Sequence, residues 1–403
     1  MPSFSGTARA SMRWGEAAAL SGCCAYLLLF SLPLAWDVAL VTLALAAVVS
    51  GTDGGWDSRG PGTYVTAGVM LLVAATIVST TGASNVRQSA LGSAPMLPAT
   101  LLFWMVRYRL SASCTRALLL SLVALAALIS ACIMFVWCID ASHNPHLWIH
   151  GISRIVTVPN DTLVLAVLSP VSLAVFFCDR NPTWRAGAML TLLLCTIAIV
   201  LAQSRMAILT MVGAQLVTLA VLRRFNVRWL LAMAVAAFAA DAICGFSLLH
   251  KFADARSESR IALWWAAGAM FLDAPVLGQG PNSFGALRLA FLASYPETKW
   301  FGIEQGYVPW PHNLYLELLA ERGAFALAGF GGALVVALNA ARVLCRDDSR
   351  DVRTAAACSF GVLASIAFAG MAELSMLHLW VPVITLTFLG LVAMLANSRR
   401  NLK

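Results

Sequence analysis

The amino-acid sequence predicts an all-α, polytopic membrane protein, and three observations carry that prediction. Of the 403 residues, 60% are hydrophobic and only 11% charged, against ~45–50% and ~25% in an ordinary soluble domain. Apolar runs, most of about 17 to 22 residues and so long enough to cross ~30 Å of hydrocarbon as a helix, recur almost to the last residue. These runs are continuous rather than alternating, and backbone amides cannot stay unpaired in lipid, so helices are the spanning element and a barrel is excluded.

About twelve spans follow in order: 17–35, 37–50, 65–82, 92–106, 117–138, 161–178, 186–202, 206–222, 229–248, 324–341, 354–371 and 375–396. The second and fourth are the shortest. The first passes through "SLPLAW" almost directly into the second, as expected of an uncleaved anchor rather than a signal peptide. With the N-terminus inside, the inner segments hold 18 of the 27 basic residues, among them Arg107, Arg109, Arg116, Arg223, Arg224, Arg342, Arg346, Arg350 and Arg353. Both termini are then cytoplasmic. The formal charge of +8 follows from this topology and implies no nucleic-acid partner. The ten cysteines form no C-x-x-C pair and read as small packing residues. The chain reads as one transmembrane domain, 1–403, with a large outer loop at 249–323.

Two outer segments are too long and polar to be turns: about 139–160, and the loop 249–323. Within the loop a helix is expected from about Ser257 to Leu272, ended by "DAP". Trp264 and Trp265 suit a helix lying at the headgroup level, so a substrate handled there should have a lipid part. "GQGPNSFG" (278–285) has no strand before it and contains Pro281, which argues for a tight turn and against a phosphate-cradling fingerprint.

The stretch "PHNLYLELLAERG" (311–323) carries the chemistry. Pro311 suits the first turn of a helix and would bring His312 into that turn. The partial positive charge there disfavours imidazolium, leaving a ring able to accept a proton. Glu317 and Glu321, spaced i, i+4, share a helical face with Asn313. They are positioned to orient arginines; a solvated interfacial face is the plainer alternative.

Arg205, in "AQSRMAILT", sits at an outer junction with almost no loop to let it move away. A charge at such depth costs about 2.5–3.5 kcal/mol unless paired or solvated, and so marks a site. Arg260 and Arg256 of the long loop, and Arg154 of the earlier one, lie on the same side. Guanidinium forks bind diphosphate oxygens and stabilise a departing pyrophosphate, while a neutral histidine deprotonates an attacking hydroxyl. In that scheme the arginines do the neutralising that magnesium would otherwise do, and no cofactor is implied. His143, His146 and His150 have ligand-like spacing, but Pro145 disturbs the segment and no Cys or carboxylate cluster completes a metal site.

At these residues the sequence resembles the O-antigen ligase/polymerase family of bacterial envelope glycosyltransferases. The matching pieces, in order, are "SRIVTVPND", "QSRMA", "SRIALWWAAGAMFLDAPVLGQGPNSF" and "PHNLYLELLAERG". The resemblance implies a GT-C-like fold and a metal-independent, inverting glycosyltransferase that takes a polysaccharide from undecaprenyl pyrophosphate. It joins that glycan to a sugar hydroxyl of lipid A-core at the outer leaflet of the inner membrane. By motif, His312 is the base, Arg205 and Arg260 bind the diphosphate, and Arg154 does so on a poorer match. The family does not settle Arg256, which is only near the motif; with Asn313 and Glu317 it is a supporting candidate by position alone. Alternatives are an O-antigen polymerase with the same donor chemistry, a protein O-oligosaccharyltransferase, and a transporter of lipid-linked sugars, whose charged groups should run through the spans rather than gather on one side.

Overall fold

The computed structural model describes residues 14–30, 36–49, 60–139, 162–224, 258–293 and 307–398, with scattered helical residues between 231 and 242. Among the described residues the protein is all-helical. In chain order the helices are α1 (Trp14–Leu29), α2 (Trp36–Val49), α3 (Pro61–Gly82), α4 (Val86–Ser93), α5 (Met96–Arg109), α6 (Thr115–Ile139), α7 (Leu163–Cys178), α8 (Pro182–Leu201) and α9 (Arg205–Val221). There follow α10 (Glu258–Asp273), α11 (Phe284–Ala293), α12 (Leu314–Leu344), α13 (Arg350–Ala369) and α14 (Trp380–Ser398).

Local chemistry sets these ends. Pro61 and Pro182 occupy the first turns of α3 and α8, where a missing N–H costs nothing. Asn181 and Ser204 cap α8 and α9 by accepting from the Thr183 and Ala207 amides. Hydroxyls inside the apolar helices return to the carbonyl one turn back, as in Thr66 to Gly62, Ser130 to Ala126 and Thr385 to Val381. In these three no hydroxyl donor is left unpaired in hydrocarbon.

Seven helical stretches among the described residues are long and apolar enough to cross a membrane, α4 and α5 together forming one of them. The expected twelve are therefore matched only in part. α1, α2, α7 and α9 are apolar but shorter, and the span expected at 229–248 lies largely outside the described residues. Near the expected 92–106 span, Pro95 stands as the N-cap of α5, so the apolar run is divided into a short α4 and a longer α5.

The helices pack around one core, with Phe103, Phe330, Phe388 and Trp380 fully enclosed. Large apolar side chains also face outward, among them Val48, Tyr64, Ile77 and Phe135, as suits helices whose outer solvent is lipid. Where α3 crosses α12, Gly68 and Gly329 bring the two backbones within van der Waals distance, the close approach that small residues permit in membranes. A smaller cluster joins α10 and α11 to the start of α12 through Met270, Phe284, Leu292 and Ala320.

Candidate active site

The site is built where α12 begins, and its first turn differs from the expectation. The helix starts at Leu314 with Asn313 as its N-cap, whose Oδ1 accepts from the Tyr315 and Leu316 amides at 3.1 Å each. Pro311 and His312 therefore precede the helix rather than opening it. Asparagine is among the strongest N-cap residues, and its side chain wins the position that Pro311 would otherwise define. His312 adopts φ 52°, a left-handed conformation in which histidine is more common than most residues.

That conformation holds His312 Nδ1 3.1 Å from Glu373 Oε1. An ionised carboxylate only accepts, so Nδ1 is the donor in this pair, and the tautomer of a neutral ring that fits it carries its lone pair on Nε2. The opposite oxygen, Glu373 Oε2, accepts from Arg260 Nη2 at 2.6 Å, while Arg260 Nη1 donates to the Ala372 carbonyl at 2.9 Å. Glu373 is nearly enclosed (3% exposed), whereas His312 and Arg260 keep 23% and 36% of their side chains accessible. The result is a chain of charge and hydrogen bonding, Arg260–Glu373–His312, open at its imidazole end.

Glu373 lies on the turn between α13 and α14, and that turn is fastened to α12 at several points. The Leu314 amide donates to Gly370 O at 2.8 Å, Asn313 Nδ2 donates to Met371 O at 2.9 Å, and Glu317 Oε1 accepts from the Met376 amide at 3.0 Å. Asn313 and Glu317 thus hold the carboxylate's platform against the helix that presents His312. Trp310 adds an edge-on contact to His312, centroids 5.8 Å apart, and another to His378 at 4.5 Å.

Glu317 and Glu321 form no solvated face. Both are fully buried with Arg322, whose Nη1 lies 3.3 Å from Glu317 and 3.4 Å from Glu321. Glu321 also accepts from the Asn282 and Phe284 amides at 2.8 and 3.1 Å. The "GQGPNSFG" segment is thereby laid against α12 as the expected turn. Gln279 and Gly280 amides donate to the Ala320 and Glu321 carbonyls, and the Ala324 amide donates to Pro275 O at 2.9 Å. This exchange is possible because α12 breaks at Gly323, φ 74°, where a Cβ would collide with the Val276 carbonyl.

Arg205 opens α9 directly after the Ser204 cap. α9 ends at Val221 beside Arg342 and Arg346 at the far end of α12, so Arg205 stands at the end of the bundle where α12 begins. His312 and Arg260 are brought together through Glu373, and Arg205 shares their end. Arg154, Arg256, His143, His146 and His150 lie outside the described residues. Glu373, Trp310 and His378 are the residues the sequence reading missed. Glu373 had a signal: it is the lone carboxylate in the short outer turn between the spans expected at 354–371 and 375–396.

The fold and site define a multi-pass helical membrane protein with a histidine–carboxylate–arginine cluster at one end of its bundle. Residues 190–331 match the family model described as O-antigen ligase, which bears out the resemblance seen in the motifs. The matched stretch contains Arg205, Arg260 and His312; Glu373 lies beyond it. No curated protein matches the chain. The activity supported by the family match is of O-antigen ligase/polymerase type, that of a membrane enzyme acting on lipid-linked polysaccharide.

Proposed function

We propose that the protein is an O-antigen ligase that transfers polysaccharide from undecaprenyl pyrophosphate to a sugar hydroxyl of lipid A-core. The donor lies in the inner membrane, with the reaction on its periplasmic side and both termini of the chain in the cytoplasm. The observation that carries this reading is the hydrogen bond from His312 to Glu373, which leaves Nε2 as the proton acceptor. His312 Nε2 takes the proton of the acceptor hydroxyl as its oxygen attacks the anomeric carbon. The bond from that carbon to the pyrophosphate oxygen breaks with inversion, and undecaprenyl pyrophosphate leaves. Glu373 is a positioning residue: it fixes the imidazole tautomer and stabilises the imidazolium that forms.

Arg260 has two duties in this scheme. Its terminal nitrogens each serve one protein acceptor, and a guanidinium has five N–H donors in all, so Nε–H and the second hydrogens remain for a diphosphate oxygen. Arg205, on the same end, supplies the other guanidinium, with Arg154 and Arg256 as further candidates. Positive charge fixed in advance favours the transition state as negative charge collects on the leaving group. The arginines then stand where a metal ion would, and the reaction is metal-independent.

The test is a reaction of purified protein, undecaprenyl-pyrophosphate-linked O antigen and lipid A-core, with a chelator present. Glycan on the core supports ligation. Longer donor-linked chains with no core product identify a polymerase, the second reading, which a ligase/polymerase-type activity leaves open. Loss of all product with the chelator overturns the metal-independent scheme.

A further inference from the structure

A cavity of about 1140 Å³ opens at the end of the bundle opposite His312. α12 joins the two ends along a contour of roughly 45 Å. Six arginines from three elements line this cavity: Arg223 and Arg224 after α9, Arg342 and Arg346 at the end of α12, and Arg350 and Arg353 at the start of α13. Among the described residues no acidic side chain lines it. Asp347, Asp348 and Asp351 lie along the chain between Arg346 and Arg353 without lining the cavity, and Asp179 is held by Arg116 through two 2.9 Å bonds, while its carbonyl accepts from Arg350. Arg353 donates to the Asp347 carbonyl at 3.3 Å, and among the described residues neither Arg350 nor Arg353 makes a carboxylate ion pair within 4 Å.

Basic residues at one end of a membrane bundle are ordinary on topological grounds. Two features go further. The cavity lining also holds Phe177, Val217, Leu222 and Phe360, so the recess is itself amphipathic. Moreover, Arg223 stands at φ 52° where α9 ends, with the Arg224 amide returning to Leu219 O at 3.0 Å. That is the left-handed position glycine favours in such a helix stop, and an arginine there keeps a guanidinium on the cavity at the expense of backbone comfort.

We propose that this cavity binds the headgroup of an anionic phospholipid carrying two phosphates, in the leaflet opposite the site of glycan transfer. The guanidiniums take the phosphate oxygens as forks, and the apolar wall receives the glycerol and first methylenes of the chains. A soluble polyphosphate shares the anionic chemistry but has nothing to place on the apolar wall. The lipid would brace the ends of α9, α12 and α13, which are otherwise driven apart by like charge.

Protein purified into phosphatidylcholine nanodiscs, with and without cardiolipin as the probe, tests this by native mass spectrometry of retained lipid. Wild type is expected to retain cardiolipin well above phosphatidylcholine. Arg342→Gln with Arg346→Gln, and separately Arg223→Gln with Arg224→Gln, should each weaken retention by roughly ten- to thirtyfold. Arg342→Lys with Arg346→Lys should lose much less, since charge is kept. Equal retention in wild type and folded glutamine variants overturns the proposal. So does cardiolipin held no better than phosphatidylcholine by wild type, a comparison that needs no variant to fold. Binding of inorganic pyrophosphate in phosphatidylcholine discs, without cardiolipin preference, assigns the cavity to a soluble polyanion and overturns the lipid assignment. The readout is binding, so it stands or falls apart from glycan transfer.

Discussion

Replacing Glu373 by Gln should slow glycan transfer about thirtyfold while leaving the fold intact. Glutamine keeps a carbonyl oxygen for His312 Nδ1–H but removes the charge that stabilises imidazolium as the hydroxyl proton arrives. For charges about 4 Å apart that stabilisation is ~4 kcal/mol at an effective dielectric of 20 and ~1 kcal/mol in water. Glu373 is 3% exposed, yet His312 is 23% exposed and Arg260 already balances part of the carboxylate's charge. A value near 2 kcal/mol follows, or roughly thirtyfold in rate. The assay is single-turnover transfer by purified protein at saturating donor, comparing E373Q, E373D, H312A and the E373Q/H312A pair. Aspartate should recover part of the rate, and the double variant should be no slower than H312A, because a residue acting through the imidazole has nothing left to act on. E373Q within twofold of wild type, or a double variant far slower than H312A alone, would show that Glu373 does not act through the imidazole.

Further expectations follow from the same geometry. Arg205→Ala and Arg260→Ala should weaken donor use far more than acceptor affinity in steady-state kinetics; equal effects on both would argue against a diphosphate role. Gly323→Ala meets the Val276 carbonyl at a left-handed position and should cost on the order of 3 kcal/mol, read as a lowered thermal midpoint in detergent. At Asp179, burial alone would raise the carboxyl, but the bonds from Arg116 and Asn181 hold it below its ordinary value. Its contribution is therefore present above the ordinary carboxylate range and lost as pH falls through the lower folded value. The stability gap between wild type and Asp179→Asn should accordingly be full at neutral pH and close only in strong acid, as unfolding midpoints across pH would report.

Much of the fold was legible because hydropathy and helix ends are local properties. The expected 65–82, 117–138, 186–202 and 354–371 spans overlap α3, α6, α8 and α13, and the helix expected from Ser257 to Leu272 is α10. The site was legible in part. His312 and Arg260 stood out as polar groups in motifs beside membrane helices, but their link runs through Glu373, 61 residues beyond His312, and sequence spacing cannot show that. The i, i+4 separation of Glu317 and Glu321 said only that they share a face. Whether that face meets water depends on the 274–283 segment folding back over it, a tertiary choice made possible by the break at Gly323. The start of α12 turned on two adjacent signals, Pro311 and Asn313, of which only the second found amides to cap.

The central claim is that the imidazole of His312 accepts the proton of the attacking hydroxyl. Single-turnover transfer to lipid A-core by His312→Ala, with protein shown to be folded and present at wild-type levels, tests it most directly. The account predicts a loss of about 10²-fold or more. A rate equal to wild type would remove His312 as the base.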